Sequence, residues 1–151
     1  MMTGVEIDFV VTDCIAALEL YESIFEAQRI EVTELEKGHN EAVFTIYGAR
    51  IHMLDENPDF QLVAPKDGDP KPMWLNVLVP DIEDTFNKAI SLGCTEVMPI
   101  TKMEAMGATN AMFKDTFGYL WLLHQIHREV SFEDRLKAMS GNAEIPTETA
   151  I

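Results

Sequence analysis

The sequence predicts an α+β fold made of two tandem βαβββ modules. A strand pattern followed by an amphipathic helix and then by three further strand patterns occurs twice along the chain. The aspartates at the two helix starts, Asp13 and Asp81, lie 68 residues apart, and two turn glycines, Gly48 and Gly118, lie 70 apart. Nearly equal offsets between matching positions indicate an internal repeat.

The first module occupies about residues 5–55. Its first strand covers 5–11, and Asp13 is then a helix N-cap, because its side chain can accept a hydrogen bond from a free backbone N–H. The helix that follows has an apolar face formed by Cys14, Ala17, Leu18, Tyr21 and Phe25. Further strands are predicted at about 28–36, 41–47 and 50–55.

The second module, at about residues 73–126, repeats this order. Its first strand, at 73–79, precedes Asp81, the second predicted N-cap. Gly93 is placed to end the helix, as a residue that adopts positive φ without strain. The apolar face of this helix consists of Ile82, Thr85, Phe86, Ala89 and Ile90. Further strands are predicted at about 95–99, 108–114 and 119–125.

Two segments lie outside the modules. Residues 56–72 form the linker and contain four of the seven prolines, so an extended surface crossing is expected there. After the second module, Ser131 is a candidate cap for a helix over 131–139, and a frayed tail is expected at 140–151. The apolar face of that helix consists of Phe132, Leu136 and Met139.

Composition restricts the class of protein. A chain of 151 residues with 47% hydrophobic content suits one compact domain, expected at residues 1–130. With 26 acidic against 11 basic residues, the net charge is −15, so nucleic acid and anionic membranes would repel the protein. The sequence shows neither a signal-peptide pattern nor a bilayer-length apolar run, and Cys14 and Cys94 lack zinc-ligand spacing. We therefore expect a cytoplasmic protein.

Three stretches of the sequence resemble a known superfamily. They are TDCIAALELYESIF in the first module, and WLNVLVPDIEDTF and KDTFGYLWLLHQ in the second. The last is similar to a D-P-F-G-x-x-W signature, with Thr116 in place of the proline. Over about residues 5–126 the chain resembles the vicinal oxygen chelate superfamily, which includes glyoxalase I, bleomycin-resistance proteins and extradiol dioxygenases. Within that superfamily it is most similar to the PhnB-like branch.

The resemblance implies a cupped mixed sheet with flanking helices, whose concave face holds a divalent metal or an organic ligand. In the family, ligands come from the first and fourth strands of each module, which correspond here to Glu6, His52, Trp74 and Leu122. Only Glu6 and His52 can coordinate a cation, because an indole offers a donor N–H and leucine offers no polar atom. Since a catalytic metal takes at least three protein ligands, we expect one chain to bind no metal and no other cofactor.

Strand alternation extends this surface, because side chains two positions apart on a strand share a face. The predicted ligand-binding residues are Glu6, Asp8, His52, Leu54, Trp74, Asn76, Leu122 and His124. A few polar groups among apolar ones are typical of a site for a small organic molecule. Glu6 and His52 are the candidate catalytic residues, because a carboxylate beside an imidazole can act as an acid/base pair.

Three functions stay open at this point. The first is binding of a small organic molecule, with metal-free acid/base chemistry. The second is that of a metal-dependent lyase, isomerase or dioxygenase, in which Asp8, His124 or a residue from a partner chain joins Glu6 and His52. The third is non-catalytic sequestration of a drug, as in bleomycin-resistance proteins. The resemblance also implies a homodimer, for which the C-terminal helix is a candidate contact.

Overall fold

The computed structural model describes residues 3–141, and the predicted tail from residue 142 onward lies outside them. Within this range the chain forms eight strands and three α-helices in two compact units. The first unit holds the described residues up to Lys71 together with Asp115–Tyr119, and the second holds Pro72–Lys114 and the described residues from Leu120 onward. The predicted α+β class with two βαβββ modules is confirmed. No helix within 3–141 has the length and apolar composition of a membrane span.

The first unit is a four-stranded mixed sheet with one helix. Its elements are β1 (Asp8–Val11), α1 (Cys14–Ile24), β2 (Ala27–Val32), β3 (Glu41–Ile46) and β4 (Ala49–Asp55). The strand order is β1-β4-β3-β2, in which β1 and β4 are parallel and the other neighbours antiparallel. β1 begins later than predicted, although the Ile7 carbonyl still accepts a hydrogen bond from the His52 N–H at 3.1 Å.

The second unit repeats this topology. Its elements are β5 (Leu75–Leu78), α2 (Ile82–Ser91), β6 (Thr95–Met103), β7 (Ala108–Lys114) and β8 (Leu120–Ile126). The order is β5-β8-β7-β6, again with a parallel pair formed by the first and last strands. β6 is longer than predicted, because two shifts of register allow it to continue past Pro99, which has no N–H to donate.

The segments outside the modules differ in how well they were predicted. The helix after the second module is confirmed as α3 (Phe132–Met139), and the Ser131 hydroxyl accepts a hydrogen bond from the Asp134 N–H at 3.1 Å. The linker is not extended throughout, since it contains a 3-10 turn at Pro58–Phe60. Asn57 and Leu62 exchange backbone hydrogen bonds of 2.9 and 3.1 Å around that turn, and this local pairing gives the turn its closed shape.

One face of each sheet packs against a helix, and the other face is left for the predicted site residues. On β4, Ile51, Met53 and Asp55 are buried, whereas His52 and Leu54 between them are only partly covered. β8 shows the same alternation, with buried Trp121 and Leu123 flanking the partly covered Leu122. Burial therefore assigns the predicted residues of β4 and β8 to the faces opposite the cores.

The start of each helix is tied to the end of the fourth strand of its own unit. In the first unit, the Asp13 side chain caps α1 through the Ala16 N–H at 3.0 Å, and the Cys14 N–H donates to Asp55 Oδ1 at 2.7 Å. The other oxygen of Asp55 accepts from the N–H groups of Gly38 and Asn40 at 2.9 and 3.0 Å. Asp55 is 2% exposed, so these bonds satisfy a buried charge.

Gln125 has the same role in the second unit. Its Oε1 accepts from the Ile82 N–H at 2.9 Å, while the Asp81 side chain caps α2 through the Asp84 N–H at 3.0 Å. Gln125 follows Asp55 by 70 residues, the same offset as that of the turn glycines. The internal repeat therefore extends to the side chains that join each helix to its sheet.

The DTFG segment has a structural role in the first unit. Asp115 is buried, and its Oδ1 accepts from the N–H groups of Phe117 and Tyr119 at 2.8 and 3.0 Å. Its Oδ2 accepts from the Tyr21 hydroxyl at 2.6 Å, and the Tyr119 hydroxyl donates to the Val10 carbonyl at 2.6 Å. These bonds connect the turn to α1 and β1, which accounts for the presence of the motif without a catalytic role.

We expect Asp55→Asn to lower the free energy of unfolding by about 2–3 kcal/mol, because an amide NH2 cannot accept the two N–H groups that Oδ2 accepts. Burial alone would raise the pKa of Asp55, but the hydrogen bonds from Cys14, Gly38 and Asn40 outweigh it and lower that pKa. The stabilisation is therefore complete above the unfolded-state pKa of about 3.9, and is lost as the pH falls through the lower folded pKa.

Urea unfolding of both proteins at pH 7 and pH 3 measures this difference. Asp59→Asn is the matched control, since it removes the same charge from an exposed carboxylate in the 3-10 turn. Equal stability losses for the two variants at pH 7 would contradict the role assigned to Asp55.

Candidate functional site

The open face of the first unit carries a compact group of charged side chains, here named the His52 cluster and defined as Glu6, Asp8, Glu41, Arg50 and His52. The parallel pairing of β1 and β4 places Asp8 opposite His52. The antiparallel pairing of β3 and β4 places Val43 opposite His52 and Glu41 opposite Leu54, so Glu41 is a diagonal neighbour of His52. Glu6 lies just before β1, and Arg50 is two positions before His52 on β4.

His52 is held by carboxylates on both sides of its ring. Its Nδ1 lies 3.0 Å from Glu6 Oε1 and 3.4 Å from Asp8 Oδ2, and its Nε2 lies 3.0 Å from Glu41 Oε2. Carboxylate oxygens only accept hydrogen bonds, so a ring that satisfies both sides carries a proton on each nitrogen. The geometry therefore favours the imidazolium form of His52.

The electrostatics of the cluster agree with this protonation. Burial alone would lower the pKa of His52, but the hydrogen bond to Glu41, the charge of Asp8 and the hydrogen bond to Glu6 together raise it. Arg50 Nε donates to Glu6 Oε2 at 2.8 Å, and this hydrogen bond is the main cause of the lowered pKa of Glu6. Three carboxylates face two cations, which leaves one net negative charge on this surface.

The same cluster contains a set of metal-ligating atoms. One oxygen of Glu6, one of Asp8 and one ring nitrogen of His52 lie within 4.8 Å of one another. Two carboxylate oxygens and an imidazole suit Mn²⁺, Fe²⁺ or Zn²⁺, and three protein ligands leave positions open for a small molecule. Asp8, named in the metal-dependent alternative as a possible third ligand, supplies the third donor, and the expectation of no metal is not confirmed. Across residues 3–141 no other group of three His, Cys, Asp or Glu side chains meets in this way.

The predicted residues of the second unit form a different kind of surface. Trp74 is 53% exposed, and its Nε1 donates to Asn76 Oδ1 at 3.0 Å. Asn76 pairs with Leu122 in the β5–β8 register. His124 Nδ1 lies 2.7 Å from Asn110 Oδ1, and burial lowers the pKa of His124. This surface therefore offers an indole, amides, a neutral imidazole and apolar area rather than a charged cluster.

Sequence reasoning missed Glu41, Arg50 and Asn110. Arg50 shares its face of β4 with His52 and follows from simple alternation. Glu41 could have been found from the two-residue hairpin turn at Tyr47 and Gly48, both of which have positive φ. Counting outward from that turn pairs position 43 with 52 and position 41 with 54, which places Glu41 diagonally across from His52. Asn110 follows in the same way from the β7–β8 register.

A small pocket of about 180 Å³ adjoins the His52 cluster within the first unit. Glu41 lines it together with the apolar side chains of Leu54, Phe60 and Leu62. Glu41 thus lines the pocket and also places its carboxylate 3.0 Å from His52 Nε2. Leu54, a predicted ligand-binding residue, has an accessible side chain next to the charged group.

Comparisons with known proteins agree on the fold. A family model described as the Glyoxalase/Bleomycin resistance protein/Dioxygenase superfamily matches residues 5–123. No curated protein matches the sequence.

Solved structures give the same result. The fosfomycin resistance protein FosX from Listeria monocytogenes, complexed with Mn(II) and sulfate, superposes with a TM-score of 0.65 at 18% identity, over 92% of this chain and 99% of that chain. TioX from Micromonospora sp. ML1 has a TM-score of 0.60 at 15% identity, over 85% and 100%. A PhnB protein from Bacillus cereus has a TM-score of 0.62 at 17% identity, over 82% and 99%. At sequence identities this low, the structural similarity shows a shared fold and nothing about function.

We expect the two imidazoles to titrate on opposite sides of the ordinary histidine pKa of about 6.5 in chelator-treated protein, with His52 above it and His124 below it. Because the folded pKa of His52 is raised, the stabilisation from its ion pairs is complete below the unfolded pKa. It is lost as the pH rises through the folded pKa. Long-range ¹H–¹⁵N NMR spectra recorded from pH 5 to 9 follow each ring, with His52→Gln to assign its signals. A pKa for His52 at or below that of His124 would contradict the ion pairs described here.

Proposed function

The chain belongs to the Glyoxalase/Bleomycin resistance protein/Dioxygenase superfamily, and we propose that it binds a small organic molecule beside a divalent cation held by Glu6, Asp8 and His52. The observation that supports this proposal is the convergence of three donor atoms within 4.8 Å on one sheet face. Mn(II) in the FosX structure makes manganese the first cation to test. When bound, such a cation supplies Lewis-acid polarisation of a ligand oxygen.

The surrounding residues have separate roles in this proposal. Arg50 binds the distal oxygen of Glu6 and leaves Oε1 directed at His52. His52 would release its Nδ1 proton to solvent when a cation takes that position, while Nε2 would keep its proton and donate it to Glu41. Leu54 and the small pocket provide apolar contact for the organic part of the ligand. Trp74, Asn76, Leu122 and His124 stay predicted ligand-binding residues of the second unit.

A second candidate is acid/base chemistry without a metal. The observation that favours it is the double ion pair of His52, which keeps the imidazolium charged and so available as a proton donor. Glu6 would then orient the donor rather than ligate a cation.

A third candidate is sequestration of a ligand without turnover, which would use the same surface. Recovery of the ligand unchanged after tight binding would identify this function. We also keep the cytoplasmic location and the single domain at 1–130 as proposals.

We expect Mn(II) to raise the melting temperature of chelator-treated protein, because a cation that binds only the folded chain stabilises it by about 2.7 kcal/mol at one hundred times its Kd. Glu6→Gln and Asp8→Asn each remove a proposed ligand, so each should abolish most of that shift. A thermal-shift panel with Mn(II), Mg(II) and Zn(II), together with elemental analysis of protein purified without chelator, measures the effect.

Glu19→Gln is the matched control, since it neutralises an exposed carboxylate on α1 away from the His52 cluster. It should bind Mn(II) as the parent chain does. If the parent chain retains no metal and none of the cations shifts its melting temperature, the metal proposal is wrong and the acid/base candidate stands in its place. His52→Gln then tests that candidate, because it removes the proton donor and should therefore abolish turnover by acid/base chemistry.

We also propose that the protein is a homodimer that uses α3. Phe132, Leu136 and Met139 lie on one face of this helix and are 69%, 48% and 72% exposed, respectively. We expect Leu136→Glu to convert a dimer into a monomer, since it places a charge in an apolar contact. Light scattering coupled to size-exclusion chromatography measures the mass. Lys137→Glu is the control, since it introduces the same side chain outside the apolar face and should leave the dimer intact. A dimer that persists in Leu136→Glu as well would contradict the assignment of α3 to the interface.

A further inference from the structure

We infer that Glu41 is a positioning residue for the proposed metal site: it holds His52 through Nε2 so that Nδ1 is the nitrogen presented to a cation. The inference rests on the proposed function, because it concerns the same site. Glu41 is not one of the three proposed ligands, and it comes from a different strand than any of them. Its role follows from how its backbone and its carboxylate are fixed.

The backbone of Glu41 is held from two sides at the start of β3. On one side, Glu41 pairs with Leu54 in the β3–β4 ladder. On the other, the Glu41 N–H donates to Thr33 Oγ1 at 2.9 Å, and the Thr33 N–H donates to the Glu41 carbonyl at 3.1 Å. This double anchorage fixes the point from which the side chain extends toward His52.

The carboxylate of Glu41 is committed to His52. Its Oε2 lies 3.0 Å from His52 Nε2, and among the described residues this carboxylate makes no other hydrogen bond or ion pair. Glu6 and Asp8 lie on the opposite, Nδ1 side of the ring. Nε2 therefore faces one carboxylate, that of Glu41, and Nδ1 faces two, those of Glu6 and Asp8.

This division determines which nitrogen is free to ligate. An imidazole that binds a metal carries its single remaining proton on the other nitrogen, and a carboxylate that accepts this proton fixes the tautomer and the ring orientation. Here that acceptor is Glu41, so the ligating atom is Nδ1, on the side where Glu6 and Asp8 supply oxygens. The negative charge of Glu41 also makes the ring a stronger donor toward a cation.

Two substitutions separate the charge of Glu41 from its hydrogen bond. Glu41→Gln keeps an oxygen that can accept the Nε2 proton but removes the charge, and Glu41→Ala removes both. The side chain of Glu41 is 50% exposed, so both variants should fold. Loss of an outer carboxylate partner weakens metal binding by about 10–100-fold, so we expect Kd for Mn(II) to rise in the order parent chain, Glu41→Gln, Glu41→Ala.

The affinity is measured with Mn(II) itself, by the EPR signal of the free ion during titration of each chain. Glu31→Gln is the matched control, because Glu31 pairs with Val43 on the same sheet and has an exposed side chain. It removes an equal charge from the same unit without touching His52. The control should change Kd by less than about 3-fold, since an exposed charge beyond hydrogen-bond reach is screened by solvent.

A second readout reports the positioning directly. With Zn(II), which is diamagnetic, ¹⁵N NMR of the parent chain should show His52 ligated through Nδ1 and protonated at Nε2. Glu41→Ala should lose that single tautomer, an effect that a purely structural role of Glu41 would not produce. If both Glu41 variants bind Mn(II) as tightly as Glu31→Gln and keep one Nδ1-ligated form with Zn(II), the inference is overturned while the proposed metal site stands. If the parent chain binds neither ion, both are overturned.

Discussion

The buried carboxylate of Asp55 connects every strand that contributes to the His52 cluster. It ends β4, accepts the N–H of Cys14 immediately after β1, and accepts the N–H groups of Gly38 and Asn40 just before β3. The relative registers of these three strands are thereby tied to one side chain. Since a shift of one residue would move every side chain of a strand to the other face, the position of His52 between its carboxylates depends on that connection.

The His52 cluster itself is an arrangement of opposing charges. Three carboxylates approach one imidazole from two strands and from the segment before β1, and without a positive charge at the centre they would repel one another. The imidazolium and Arg50 offset most of that repulsion in the described structure. A divalent cation would offset it more completely on the Nδ1 side, which is why the same residues support both an acid/base and a metal-binding interpretation.

The two units share their backbone plan and differ in their chemistry. The positions equivalent to Glu6 and His52 are occupied in the second unit by Trp74 and Leu122, whereas the bond from the fourth strand to the helix start is kept by Asp55 and Gln125. Helix capping and strand pairing depend on the backbone and so recur in both units. The side chains on the open face can differ between the units, because that face is not part of either core.

The two modules, the capped helix starts and most strand positions could be predicted from the amino-acid sequence, because periodicity and N-caps are local properties of the chain. Alternation also predicted that Asp8 shares a face with Glu6, and the resemblance to the family implied that His52 lies on that same face. Three contacts are seen in the folded chain alone: Glu41 reaches His52 Nε2, Arg50 binds Glu6, and His124 pairs with Asn110. These contacts join residues on different strands or beyond strand ends. Alternation and hairpin counting give the shared face and the register of these residues, but the contacts also depend on side-chain rotamers, which local patterns do not determine.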